Sequence, residues 1–277
     1  MSGGQKISVA GVQLLHQEGC RDANIQRALD MIGSSPGYDL YVLPELACSG
    51  YGPDAFKQIH SLAEDPDGPS FQAFSALAGK QGCTICYSFP RRTQNGKPTI
   101  CAAVVDPNGH MVALYDKWHV CATGDPCEMT YFSPGNAPLA TFAVNGIRVG
   151  ICICYDIRFP EIVRKLAVEE KISLLLHPGA WSRDPTFGTW HSFVTTRAME
   201  NAIYIMSVNR AGPDNGCSLF CPPFVDTGAN RPTIIEDQDG EGLLVGEVDS
   251  DCLARIRSGY PLLAGRRPEL YGTSALN

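Results

Sequence analysis

Three side chains of this chain could share one chemistry, and each stands just past a strand-like apolar stretch: Glu45, Lys117 and Cys154. Cys154 stands in Gly150-Ile-Cys-Ile-Cys-Tyr-Asp-Ile-Arg-Phe-Pro-Glu161, where an apolar strand ends at Cys154 and a helix is expected from about Phe159. A nucleophile on a strand-to-helix turn projects from the sheet edge, with backbone N–H groups nearby to face an oxyanion. The N-terminal end of the following helix favours a thiolate. Taken alone, Cys154 reads better as one more buried thiol. Glu45 follows the apolar Leu43-Pro44, however, and Lys117 follows Tyr115-Asp116. Either charge by itself could sit on the surface, but a carboxylate is costly to bury unless paired. Together the three suit covalent catalysis. A free thiol, with a pKa of about 8.5, is only partly ionised at neutral pH. A neighbouring carboxylate can take its proton, and a neighbouring ammonium stabilises the thiolate.

Alternating strands and helices must bring these residues together. Ile7 to Leu14, Tyr38 to Leu43, Cys83 to Phe89, Ile100 to Val105 and Met111 to Tyr115 read as strands. Asn95-Gly96 and Asn108-Gly109 supply hairpin turns. Leu139 to Phe142, Ile147 to Ile153, Ser173 to Leu176, Ile203 to Val208 and Leu243 to Val248 continue the series. Apolar residues at helical spacing predict helices over 23–32, from near Pro69 through Ala78, over 160–169 and over 190–201, with a short one at 249–256. Thr123 to Asn136 reads as polar and turn-rich, and the tail from Tyr260 to Asn277 lacks periodicity. With no dividing linker, the pattern implies one layered α/β domain over 1–277.

Bulk properties narrow the function classes. The chain has 277 residues, 44% hydrophobic and 18% charged, enough to bury a large core. A formal net charge of −7 offers no basic surface for nucleic acid. No apolar run approaches the roughly 20 residues that span a bilayer. Met1 to Ile7 lacks the apolar region of a signal peptide, so a cytoplasmic location is expected. The twelve cysteines are then expected to be mostly reduced, with small-hydrophobe behaviour in apolar settings such as Cys86, Cys101 and Cys152. Cys83/Cys86 and Cys217/Cys221 have spacings that zinc sites use. The first pair reads as strand, and the second lies in a Pro-rich loop without a nearby His, so no metal is expected.

The three segments resemble the blocks of the nitrilase superfamily, the carbon–nitrogen hydrolases: Pro44-Glu45 followed by Gly50-Tyr51, Lys117-Trp-His119, and Cys154-Tyr-Asp-Ile-Arg-Phe-Pro-Glu161. Glu128-Met-Thr-Tyr-Phe-Ser-Pro-Gly135, Arg197-Ala-Met-Glu-Asn201 and Arg267-Pro-Glu-Leu-Tyr271 extend the resemblance over roughly residues 7 to 272. The C-terminal third departs from it: Gly216-Cys-Ser218 is followed by Cys221-Pro-Pro-Phe-Val225, without the usual Pro-x-Gly turn. The resemblance implies a four-layer α-β-β-α sandwich and a cofactor-free mechanism. It makes Cys154 the nucleophile, Glu45 the general base and Lys117 the oxyanion stabiliser beside the Tyr155 backbone N–H. Glu128 would orient Lys117 or the substrate nitrogen. It also implies a homodimer or higher oligomer, through the helices at 159–170 and 189–201 and with the tail 260–277 reaching the partner subunit.

Cys154 followed by Tyr-Asp, in a compact chain, favours a small-amide amidase over a nitrilase, which would carry Trp-Glu there. An N-carbamoyl-amide hydrolase is the near alternative, and a non-catalytic scaffold or a redox sensor lies further off. His119 is expected to hydrogen-bond locally rather than act as a base. His177, before Pro178-Gly-Ala-Trp181, either lines the pocket or caps its strand. Arg158 is expected to pair with Asp156 or Glu161 rather than with substrate. Trp118, Tyr155, Trp181 and Phe187 are candidate pocket walls.

Overall fold

The computed structural model describes residues 4–94, 96–124, 126–223, 233–234 and 239–271. Asn95 of the expected hairpin turn, Phe224, Val225 and tail residues 272–277 lie outside them. In chain order the elements are β1 (Lys6–Gln13), α1 (Arg21–Ser34), β2 (Leu40–Val42), α2 (Pro53–Lys57), α3 (Ile59–Leu62), α4 (Pro69–Gln81), β3 (Thr84–Arg91), β4 (Thr99–Val105), β5 (Met111–Asp116) and α5 (Glu128–Tyr131). There follow β6 (Thr141–Val144), β7 (Ile147–Ile151), a 3₁₀ turn at Cys154–Arg158, α6 (Pro160–Val168), β8 (Leu174–Pro178), α7 (Phe187–Asn201), β9 (Tyr204–Val208), β10 (Leu219–Cys221), β11 (Thr233–Ile234), β12 (Gly242–Asp249) and α8 (Ser250–Gly259).

These strands form two six-stranded sheets, ordered β12-β1-β2-β3-β4-β5 and β11-β10-β9-β8-β7-β6. Each has a parallel centre, β1-β2-β3 or β7-β8-β9, flanked by antiparallel strands. The two-residue side-chain period of a strand then sorts every core residue. Val9, Val42 and Val104 of the first sheet meet Val149, Leu174 and Met206 of the second in a central apolar layer. Their neighbours point outward: Val12, Tyr41 and Ile85 pack under α1 and α4 through Ile25, Ala28, Ile32, Phe74 and Ala78. Leu175 and Ile205 pack under α6 and α7 through Ile162, Leu166, Trp190 and Val194. The result is a four-layer α-β-β-α sandwich. Among the described residues no helix is long and apolar enough to cross a membrane.

Differences from the sequence expectation fall on short elements. α2, α3 and α5 are five residues or fewer, too short for a helical apolar period to show. β10 was likewise unexpected, hidden among Cys and Pro residues. All twelve cysteines lie within the described residues and are unpaired.

Both parallel centres end at the same rim, and the chemistry-bearing residues sit just beyond the strand ends, where open α/β sheets place their ligands. Glu45 lies three residues past β2, Cys154 three past β7, and His177 within the last two residues of β8.

Candidate active site

The three strand-end residues converge. Lys117 is pinned by its backbone, its N–H donating to Ile100 O (2.8 Å) and its carbonyl accepting from Gly135 N (2.7 Å). Its ammonium donates to Glu45 Oε1 at 2.7 Å and to Glu128 Oε1 and Oε2 at 2.7 and 2.8 Å. All three side chains are fully buried. The Glu45 backbone N–H donates across the sandwich to Gly179 O (3.2 Å), tying the β2 end to the β8 end. Glu128 also accepts from Tyr51 Oη (2.8 Å) and from the Cys121 N–H (2.7 Å), so both its oxygens are saturated. Glu45 is different. Its Oε2 is buried with no hydrogen-bond partner among the described residues, and the Cys154 thiol is close enough to favour its charged form.

Cys154 opens the 3₁₀ turn with φ of 44°, a left-handed conformation rare for a residue with a side chain. Such a conformation costs about 1–3 kcal/mol and persists only where its surroundings enforce it. The enforcement is visible. The Cys154 carbonyl lies 3.0 Å from His177 Nε2. Two residues on, the buried Asp156 carboxylate accepts from Ile153 N (3.0 Å), Tyr115 Oη (2.7 Å), His119 N (2.9 Å) and His119 Nδ1 (2.9 Å). One carboxylate therefore locks the nucleophile turn to the loop that carries Lys117.

The charges in this cluster do not balance: two carboxylates share one ammonium. Burial raises Glu45 to about 7, aided by Glu128 and opposed by Lys117. Burial by itself would lower Lys117, but Glu128 and Glu45 outweigh it and hold the ammonium well above its ordinary value. Burial, then the Glu45 charge, push the Cys154 thiol well up, against Lys117 and a hydrogen bond from the Ala180 backbone. The ammonium is already committed to two carboxylates, so the resting sulfur keeps its proton, with an acceptor of pKa about 7 beside it.

A cavity of about 540 Å³ opens over the thiol, lined by Tyr51, Glu128, Cys154, Tyr155, Arg158 and Trp181 among others. Tyr155 and Trp181 are wall residues, as expected. Trp118 instead donates its indole N–H to Ala137 O (2.8 Å), and Phe187 packs edge-on against Trp190. His119 stacks on Phe159 (centroids 3.7 Å apart) and bonds to Asp156, leaving its ring committed away from the thiol. His177 is fully buried beneath the turn. Among the described residues no cluster of three or more His, Cys, Asp or Glu could hold a metal ion.

Arg158 departs from its expected pairing. Asp156 is filled by other donors, and Arg158 forms no ion pair among the described residues. Its guanidinium carbon lies 5.0 to 5.6 Å from the ring centroids of Trp181, Phe193 and Tyr155. Its one hydrogen bond among the described residues is a long one to Thr186 Oγ1 (3.5 Å), and its Nε is buried without a partner. The sequence reading also overlooked Tyr51 and the structural work of Asp156. The available signal for Asp156 was an acid sitting beside an otherwise apolar strand end.

Known proteins resemble this chain in sequence and fold. The family model for carbon-nitrogen hydrolase matches residues 8–257. A Pseudomonas protegens hydrolase encoded in the pqqF 5′ region is 31% identical, the match covering 90% of this chain and 85% of that one. A human omega-amidase is 28% identical, covering 90% and 91%. The crystal structure of Saccharomyces cerevisiae Nit3, of branch 10 of the nitrilase superfamily, superposes with a TM-score of 0.80 at 27% identity, covering 95% of this chain and 97% of that one. With two facing sheets, strand-end residues gathered at one rim and a family match over nearly its whole length, this chain belongs to the carbon–nitrogen hydrolase family, within the nitrilase superfamily.

Proposed function

We propose that this hydrolase acts as an amidase on small amides through a thioester on Cys154, releasing ammonia and a carboxylic acid. The observation that carries the reading is the buried Glu45–Lys117–Glu128 cluster directly beneath the thiol. Glu45 takes the thiol proton as the sulfur attacks the amide carbon. Lys117 and the Tyr155 N–H hold the tetrahedral oxyanion, and removing one such donor typically costs about 10²–10³ in rate. Glu45 returns the proton to the nitrogen, the C–N bond breaks and ammonia leaves. Glu45 next takes a proton from water, whose oxygen attacks the thioester carbon; the acid departs and the proton returns to sulfur. Glu128 keeps Lys117 protonated and aimed throughout. Side chains, the Tyr155 N–H and the attacking water account for every proton and charge in this cycle, so no cofactor is invoked.

The Arg158 guanidinium, without an ion-pair partner among the described residues, favours an amide that carries a carboxylate at its other end. The activity named for the omega-amidase relative fits that class. The working unit is the single domain, paired as a homodimer through α6, α7 and the tail, where Tyr260, Leu262, Leu270 and Tyr271 are exposed. Twelve unpaired cysteines suit the reducing cytoplasm.

The test is ammonia release from a panel of dicarboxylic acid monoamides, neutral aliphatic amides, N-carbamoyl compounds and nitriles. Fastest release from the monoamides, abolished by Cys154→Ala, is expected. Release only from N-carbamoyl compounds or nitriles, or release that survives Cys154→Ala, would overturn the reading.

A further inference from the structure

Beneath the nucleophile turn lies a buried polar chain that the mechanism above does not use. His177 and Ser207 are register partners on the parallel strands β8 and β9, so their side chains emerge side by side. His177 Nδ1 lies 2.7 Å from Ser207 Oγ, and Nε2 lies 3.0 Å from the Cys154 carbonyl. Trp190, on α7, donates its indole N–H to the same Ser207 Oγ at 2.9 Å. All three side chains are fully buried. Trp190 also stacks in parallel on Trp181, a wall of the cavity.

The proton order in this chain is determined by elimination. An indole N–H can only donate and a backbone carbonyl can only accept. Ser207 Oγ therefore receives the Trp190 proton and sends its own to His177 Nδ1. His177 must then carry its single proton on Nε2, aimed at the Cys154 carbonyl. Burial, which lowers the imidazole to about 4, keeps it neutral in this form.

A peptide unit is planar and trans, so its C=O and N–H point in opposite directions. Anchoring the Cys154 carbonyl in the buried interior turns the N–H of the same unit, that of Tyr155, toward the cavity that both residues line. We infer that His177, oriented by Ser207 and Trp190, is a positioning residue that holds Cys154 in its left-handed conformation and thereby aims the Tyr155 N–H as an oxyanion donor. This rests on the thioester reading above and adds the device that builds its oxyanion site. It also resolves the two roles open to His177 in the sequence: it neither lines the pocket nor merely ends its strand.

Three variants test the inference. His177→Phe keeps a ring and loses both hydrogen bonds. His177→Gln keeps a donor near the Nε2 position. Ser207→Ala removes the group that sets the imidazole proton. In His177→Phe, kcat should fall about 10²–10³-fold with KM moved less than about threefold, as for loss of one oxyanion donor. Alkylation of Cys154 by iodoacetamide, which develops no oxyanion, should keep its rate within about threefold. His177→Gln should recover most of kcat, and Ser207→Ala should fall between the two. Equal losses in Phe and Gln variants, or alkylation lost in step with kcat, would overturn the inference. Crystal structures of the variants separate its failure from that of the thioester reading. Should the wild type release no ammonia, the inference still requires Cys154 to leave its left-handed conformation in the Phe variant and keep it in the Gln variant. A Cys154 conformation unchanged in both would refute it. If the Phe variant does not fold, the same comparison is made between Ser207→Ala and His177→Gln.

Discussion

Replacing Glu45 with Gln should make the protein more stable at alkaline pH while nearly abolishing its activity. Glu45 is fully buried, and two carboxylates compete there for one ammonium. Burial raises its pKa from 4.5 to about 7. At about 1.4 kcal/mol per pH unit, that difference amounts to about 3 kcal/mol between the protonated and ionised folded forms. The sign follows from proton binding. The folded state holds this proton more tightly than the unfolded chain does, so the stabilisation is fully present below about pH 4.5 and is lost as pH rises through about 7. Gln cannot ionise and never incurs that loss. Urea denaturation of both proteins from pH 5 to 8.5 should show the variant gaining on the wild type by up to about 3 kcal/mol, with most of the gain complete by pH 8. Its kcat should fall about 10²–10⁴-fold, the usual worth of a general base. In the wild type, kcat/KM should rise with pH through an apparent pKa near 7 as Glu45 becomes able to accept a proton. A stability difference that does not change with pH, or one that favours the wild type more as pH rises, would refute the reasoning. Glu45 would then be an ordinary ionised carboxylate and a poor match to the thiol.

Lys117→Met leaves two buried carboxylates without a cation and should cost about 3–5 kcal/mol of stability along with all turnover, measured by urea denaturation at pH 7.5. Arg158→Met should raise KM for a dicarboxylic acid monoamide by roughly 10- to 100-fold, the worth of a charged hydrogen bond, and much less for a neutral amide of equal length; equal effects on both would remove the carboxylate partner. Asp156→Asn keeps the volume but offers one acceptor oxygen to donors from Ile153, Tyr115 and His119. It should destabilise by about 1–3 kcal/mol and lower kcat as well, because the nucleophile turn and the Lys117 loop share that anchor.

What could be read in advance followed from strand ends. Glu45, Lys117 and Cys154 were legible as candidates because each puts a reactive group just past a strand-like apolar run, and the β-forming runs marked the strands that carry them. Helices α4, α6 and α7 were legible because their apolar stripes run over nine residues or more. The short α5, which brings Glu128 beneath Lys117, offers four residues and no period. Which strands pair is decided by long-range register: nothing local says that β12 returns along the full length of β1 or that His177 faces Ser207. By proximity in sequence Arg158 was expected to pair with Asp156 or Glu161. Among the described residues it pairs with neither, and Tyr115 and His119, about forty residues earlier in the chain, fill the Asp156 carboxylate. That Glu128 holds Lys117 with both its oxygens, leaving two acids to one ammonium, is likewise decided by long-range packing rather than by anything local.

The most direct test of the account is the mass of the enzyme during turnover. Acid-quenching the wild type within the first turnovers on a slowly hydrolysed amide, then mapping peptides, should find the acyl group of that amide on Cys154 and on no other of the twelve cysteines. Ammonia released in the first burst should equal the acylated fraction. Turnover with no acyl adduct at any quench time, or an adduct on a different residue, would contradict it.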